Sequence, residues 1–408
     1  MLDPARILER CDALARHSEL PRGLTRVFLS PEARAATDKV LGWMREAGMQ
    51  AKLDAIGNAA ARYEGERPGL PCLMLGSHLD TVRDAGRYDG MLGVISAVEC
   101  VHALNSRKKR LPFAIEIIGF GDEEGMRFGT TLFGSRAVVG IFDARSLEAK
   151  DPAGKAMRDA LSEFGLEPKR IPELARKKGQ VLAYAELHIE QGPVLEAEGL
   201  PVGVVTAING FSRLRVTLRG VAGHAGTVPM NLRRDALAGA AECVLAAEKI
   251  AKGHPELVAT VGRIEAKPGA INVIPGEVGF TVDVRAPQDP LRKHAVAAIR
   301  SQIEQVSKDR KLECEIELLQ EFGVTTCAPW LMAQMDQAVA RQGFRVRRLP
   351  SGAGHDGMAL GAITDICMLF VRCKGGISHS PLESITEADA AAGARVLLDF
   401  IEHFQLPA

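Results

Sequence analysis

The stretch FAIEIIGFGDEEGMRFG (residues 113–129) decides how the chain is read. Its first half, FAIEIIGF (113–120), is apolar and reads as a buried strand. That strand ends on three consecutive carboxylates, Asp122, Glu123 and Glu124, with Gly121 and Gly125 on either flank. Adjacent acids repel one another. Either they form a solvated turn, or positive charge sits beside them.

Working outward, the pattern recurs. CLMLGSHLD (72–80) and VLAYAELHIEQG (181–192) are apolar runs that also end in polar residues, and a helix built on VISAVECVHAL (94–104) follows the first of them. Strand, helix and strand in that order predict an α/β fold with a mainly parallel sheet. From about Phe211 the style changes. RLRVTLRG (213–220) alternates apolar and basic residues, as a half-exposed strand does. An alanine-rich helix (234–252), a strand pair near 257–265 and 277–286, a second helix (289–308) and the strand LECEIELL (312–319) complete a β-α-β-β-α-β unit of the ferredoxin-like kind. After Thr325 the α/β style returns, with a helix near 329–341, the strand ITDICMLFV (363–371) and a closing helix (387–404). The expected organisation is a catalytic domain in two pieces, 1–210 and 327–408, with an inserted α+β lid and dimerisation domain at 211–326. A hinge is expected near Gly210 and Thr325.

A chain of 408 residues is longer than one core usually serves, which agrees with two domains. Lys+Arg and Asp+Glu balance at 51 each, so no bulk charge draws nucleic acid or an anionic membrane. No apolar run reaches the roughly 18 to 20 residues that a membrane span needs. The N-terminal stretch is charged throughout and lacks the apolar segment of a signal peptide, so a cytoplasmic protein is expected. The eight cysteines form no CxxC pair, which argues against a thiolate-held zinc.

Of ten histidines, His17, His102, His254, His294 and His403 fall in helix-like or surface contexts, where a solvated or packed ring is the ordinary role. The other five, His78, His188, His224, His355 and His379, each sit beside Gly, Ser, Asp or Glu at the end of an apolar run. In an open α/β sheet the carboxyl ends of the strands are where sites form. Asp89 lies in a Gly-rich turn, GRYDGMLGV (86–94), where it could be a helix cap or a ligand. Asp80, two residues after His78, points the same way as that imidazole if the strand is still extended, which suits an acid that orients it. Neutral imidazole and carboxylate without thiolate suit zinc, with manganese, cobalt and nickel as other candidates. The set is large enough for two divalent metal ions sharing one carboxylate.

Together GSHLDTV, GRYDGMLGV, DEEGMRFG, ELHIEQG, GHAGTVPM, INVIPG, SGAGHD and GISHSP give the chain a resemblance to the M20 metallopeptidase superfamily. The branch it resembles holds the N-carbamoyl-L-amino acid hydrolases, allantoate amidohydrolases and β-ureidopropionases, and ELHIEQG is the branch marker. The resemblance covers nearly the whole chain. It implies that His78 and His188 hold one metal, Glu124 and His379 the other, and that Asp89 bridges them. It makes Glu123 the general base and Asp80 the support of His78. It makes His224, offered from a partner subunit of a homodimer with a shared active site, the stabiliser of the oxyanion. Asn272 and Arg285 would clamp the carboxylate of a small-molecule substrate, and Gln191 and His355 would line the site. Without the resemblance, Asn272 reads as a turn residue and Arg285 as a surface strand charge.

One position departs from the branch. Where it carries Gly-Gln-Arg-Arg, this chain reads NGFSRLRV, so Phe211 stands where glutamine is expected. An apolar ring cannot make that amide's hydrogen bonds. The expected activity is therefore hydrolysis of the linear amide or ureido bond of a small carboxylate such as an N-carbamoyl amino acid, with a more apolar portion near Phe211 than allantoate offers. An N-acyl amino acid amidase or dipeptidase is the alternative, and a non-catalytic binding protein is a further one.

Overall fold

A computed structural model of the chain describes residues 2–407. The chain separates into two compact units. The first comprises residues up to Thr206 together with Thr326–Leu349 and the segment from Ala353 onward; the second comprises Ala207–Thr325 with Pro350–Gly352.

At the centre of the first unit four strands lie side by side in parallel: Ala114–Phe120, Cys72–His78, Val181–Ile189 and Ile366–Val371. Every residue of CLMLGSH and of ICMLFV is buried. Such unbroken apolar runs are what a sheet covered on both faces demands. The antiparallel strands Ala59–Tyr63 and Gln50–Leu53 extend one side, and Val202–Ile208 pairs antiparallel with Ile366–Val371 on the other. The helix Met91–Ser106 is apolar almost all round and buries nearly its whole length against the Cys72–His78 strand and the helix Glu387–His403. The latter starts with a capping box, in which the side chains of Thr386 and Asp389 each take the other's backbone N–H. Register decides where the chemistry sits. His78 is opposite Phe120 and His188 is opposite Phe370, so the carboxyl ends of the parallel strands finish along one edge.

The second unit is an antiparallel sheet. Gly210–Arg219 pairs on one side with Glu277–Ala286 and on the other with Glu313–Phe322, while Val258–Thr260 and Ile264–Lys267 pair with Glu277–Ala286. The alternate residues Leu214, Val216, Leu218, Val278, Phe280, Val282 and Val284 form one core with the helices Ala236–Lys252 and Asp289–Asp309. The order agrees with the ferredoxin-like reading. A separate two-stranded ribbon pairs Gly223–His224 with Val273–Ile274.

All eight cysteines are free thiols, and seven of them are buried, as small core residues are. Among the described residues no helix is long and apolar enough to cross a membrane.

Candidate active site

Two imidazoles at the strand ends are fixed through one nitrogen each. His78 Nδ1 donates to the backbone carbonyl of Asp80 at 2.9 Å, and His188 Nδ1 donates to that of Ile189 at 2.9 Å. In both rings Nδ1 is spent on the backbone, so Nε2 is the atom left to face the site. Both face Asp89. Its Oδ1 lies 3.5 Å from His78 Nε2 and 3.2 Å from His188 Nε2. Its Oδ2 lies 3.2 Å from His379 Nε2. Thus one buried carboxylate offers one oxygen to each of two imidazole sets. It does not cap the adjacent helix, which starts at Gly90 without a side-chain cap.

The tandem acids come to the same place by a turn that the sequence conceals. The segment is not extended: Asp122 has φ of 63° and Gly125 of 66°. The carboxylate of Asp80 accepts the backbone N–H groups of Glu123 and Glu124, each at 3.1 Å. With the chain wound this way, ligand atoms of His78, Glu123 and Glu124 lie within 4.8 Å of one another, as do those of Asp89, Glu124 and His379. The turn thus brings two adjacent acids to one place, which an extended strand end would not do. Two further details differ from the sequence reading. The Asp80 carboxylate stands 3.9 Å from His78 Nδ1, so the imidazole is steadied by the Asp80 carbonyl instead. Asp122 is not part of a solvated turn: it is fully buried and neither of its carboxylate oxygens has a hydrogen-bond partner.

Crowding sets the charge states. Burial, with Glu124, Asp356 and Asp80 nearby, pushes Glu123 well above the usual carboxylate range. Burial and the neighbouring Asp89 push Glu124 up to about 7. Burial alone would raise Asp89 too, but hydrogen bonds from His188, His379 and His78 hold it well below its usual range. The donors are imidazole nitrogen and carboxylate oxygen, and carboxylates outnumber the cationic side chains that could balance them. Where each Nε2 and Asp89 share a proton, they can share a cation. This donor set fits divalent metals of the zinc, manganese, cobalt or nickel kind, with no thiolate required.

A model of peptidase family M20/M25/M40 matches residues 74–403. The chain belongs to this family. It is 42% identical over 398 residues to an N-carbamoyl-L-amino acid amidohydrolase of Geobacillus stearothermophilus, covering 97% of both chains. It is 40% identical to allantoate deiminase 1 of Glycine max, covering 97% of this chain and 89% of that one. Among solved structures it superposes on a hydantoinase/carbamoylase family amidase from Burkholderia multivorans with a TM-score of 0.92 and 34% identity, covering 98% of this chain and 97% of that one. These relatives put this M20 chain in the hydantoinase/carbamoylase branch and make it a metal-dependent hydrolase.

Around the M20 centre stand residues that sequence reasoning assigned loosely or missed. Gln191 takes the left-handed φ of 56°, and its Nε2 lies 3.2 Å from Asp89 Oδ2 and 3.2 Å from Ser378 Oγ. His379 also has a positive φ, of 54°. Among the described residues, three of the eight non-glycine residues with positive φ, namely Asp122, Gln191 and His379, thus cluster here. His355 packs edge-on against His188 with ring centroids 4.5 Å apart. Glu186, missed from the sequence, is buried beneath His188 and accepts from Ser77 Oγ at 2.8 Å and Tyr184 Oη at 2.9 Å. Its place two residues before His188 in a strand was the available signal. Glu383 and Ser378, joined by a hydrogen bond of 2.8 Å, were also missed.

The remaining predicted residues belong to the second unit. His224 is exposed on the short ribbon, and the Asn272 carbonyl accepts the N–H of Ala225 at 3.0 Å, which brings these two together. Arg285 is opposite Phe211 in the sheet register, its guanidinium 5.7 Å from that ring's centroid. The Asp283 carboxylate accepts from one edge of the guanidinium, from Nε at 2.9 Å and Nη2 at 3.0 Å, and the Gly352 carbonyl accepts from Nη1 at 2.9 Å. Phe211 also stacks against Phe322 with centroids 4.9 Å apart.

Proposed function

We propose that the chain is a binuclear amidohydrolase that cleaves the ureido C–N bond of an N-carbamoyl-L-amino acid, releasing the amino acid, ammonia and carbon dioxide. The observation that carries this reading is the division of Asp89: one oxygen toward His78 and His188, the other toward His379, with Glu123 and Glu124 alongside. His78, Asp89 and His188 would hold one divalent ion, and Asp89, Glu124 and His379 the other. Bound there, zinc or a similar ion would polarise the scissile carbonyl and bring the pKa of a water toward neutrality.

The side chains then have separate work. Glu123 takes a proton from the attacking water and returns it to the leaving nitrogen, a task for which a carboxyl that burial raises above its usual range is suited. The Asp80 carboxylate keeps Glu123 in place through the backbone. From the second unit, Asn272 and Arg285 bind the substrate carboxylate, Arg285 with its planar fork, and His224 from a second copy of the chain stabilises the oxyanion. Phe211 on its aromatic neighbour Phe322 favours an apolar side chain over the polar ureido arm of allantoate.

The test is a panel of N-carbamoyl, N-formyl and N-acetyl amino acids, dipeptides and allantoate, assayed after loading with zinc, manganese, cobalt or nickel. N-carbamoyl amino acids with apolar side chains are expected to lead, and Glu123→Gln to keep its metal while losing about 10²–10⁴-fold in kcat. Preference for N-acetyl compounds or dipeptides would overturn the substrate, and near-normal activity of Glu123→Gln would overturn the base.

A further inference from the structure

Glu383 is not one of the metal donors, yet it touches both sides of the outer donor group. It is buried, with 4% of its surface exposed. Its Oε1 accepts the backbone N–H of Tyr88 at 2.8 Å and of Asp89 at 3.2 Å. Its Oε2 accepts the hydroxyl of Ser378 at 2.8 Å, and Ser378 precedes His379. One carboxylate thus joins the turn that carries Asp89 to the loop that carries His379, across nearly 300 residues of sequence. The loop is closed locally as well, for the Glu383 N–H donates to the Ser380 carbonyl at 3.0 Å.

The two donor groups differ in how they are built. His78 and His188 sit within buried strands, 2% and 1% exposed, with Nδ1 tied to backbone carbonyls. His379 lies on a loop, with a side chain 52% exposed and a left-handed backbone. We propose that Glu383 is a positioning residue that sets the spacing of Asp89 and His379, so that the outer cation position depends on it and the inner position does not. This rests on the binuclear reading above.

The experiment removes metal from the whole protein and titrates Zn²⁺ against a chromogenic chelator, for the wild type, Glu383→Ala, Glu383→Gln and Ser378→Ala. The wild type should take two equivalents. Glu383→Ala should weaken one of them about 10- to 100-fold and leave the other within about threefold, the range seen when partners of metal ligands are removed. Ser378→Ala should weaken the same equivalent by less. Glu383→Gln should lie close to wild type, because its amide oxygen still accepts both N–H groups. Turnover by Glu383→Ala should recover in excess Zn²⁺, which a general loss of fold would not allow. If the wild type takes two equivalents and Glu383→Ala weakens both alike or neither, the positioning role is overturned and the binuclear reading stands. If the wild type takes fewer than two, the binuclear reading itself fails, and the role with it. Should Glu383→Ala not fold, Ser378→Ala removes the tie to the loop together with that hydroxyl's contacts to Asp89 Oδ2 at 3.3 Å and Gln191 Nε2 at 3.2 Å, and two unchanged equivalents in that variant would overturn the role.

Discussion

Gly90→Ala replaces one hydrogen by a methyl group, yet it should damage both stability and metal binding. Gly90 has φ of 72° and ψ of −53°, a conformation that costs an L-residue about 1–3 kcal/mol. A Cβ built there would fall 2.5 Å from Nδ1 of His78 and 2.6 Å from both Cδ2 and Cε1, over the face of the ring. Comfortable carbon contacts lie near 3.5–4.0 Å, so the ring must move by about 1 Å. It has little freedom to do so: His78 is 2% exposed and its Nδ1 is hydrogen-bonded to the Asp80 carbonyl. Overpacking of this sort costs about 1–3 kcal/mol more. The sum is about 2–6 kcal/mol, and a ring displaced from its place opposite Asp89 should lose at least about tenfold in metal affinity. Gly69→Ala is the control. Gly69 has φ of 75° but nothing within 4 Å of an added Cβ, so it carries the strain without the clash. Denaturant unfolding of the metal-free proteins and Zn²⁺ titration measure the two effects. If Gly90→Ala matched Gly69→Ala in both, the packing of His78 against this turn would not be what fixes the ligand.

Two other outcomes follow from the second unit. Phe211→Gln gives up the stack on Phe322, worth about 0.5–1.5 kcal/mol, and supplies an amide that can pair with a ureido group. Its kcat/KM ratio for allantoate over an apolar N-carbamoyl amino acid should rise at least about tenfold, measured by ammonia release; an unchanged ratio would remove Phe211 from substrate selection. His224→Ala should lose turnover without losing metal, and mixing it with Glu123→Gln should restore part of the activity if each site borrows His224 from the other copy, whereas mixtures as inactive as their components would argue against sharing.

The central sheet was legible because burial on both faces writes itself as continuous apolar runs, CLMLGSH and ICMLFV being the clearest. The inserted unit was legible for the opposite reason: its strands alternate, as Glu277–Ala286 does residue by residue. The histidines at the strand ends were visible because polar residues interrupt an apolar run there. Other parts carried no such signal. Ala59–Tyr63 opens on three alanines, poor strand formers that pair only because Ala114–Phe120 and Gln50–Leu53 flank them. Between the site loop and Val181 the chain makes short helices whose Phe133, Leu147, Met157, Leu161 and Ile171 pack with Phe28 and Ile56 into a core too brief in each element to show a period. Glu383 was invisible because its role is a contact made across most of the chain.

The acidic run 122–124 shows most plainly what spacing alone cannot reveal. On an extended chain three successive carboxylates would alternate in direction, and only one or two could reach a common point. Here Asp122 takes a left-handed φ, and the Asp80 carboxylate collects the next two N–H groups, so Glu123 and Glu124 both turn toward His78. Asp122 itself is turned into the protein. Burial and the nearby Asp80 push its carboxyl well above the usual range, which favours its neutral form. A buried carboxyl without a hydrogen-bond partner costs about 1–3 kcal/mol. That cost is tolerable only where the conformation it permits is needed, and the conformation needed here is the one that sets a proton acceptor beside a metal ligand on adjacent residues. The run is therefore neither a solvated turn nor three equivalent acids: Asp122 shapes the backbone, and its two neighbours present the carboxyl groups that a cation would meet.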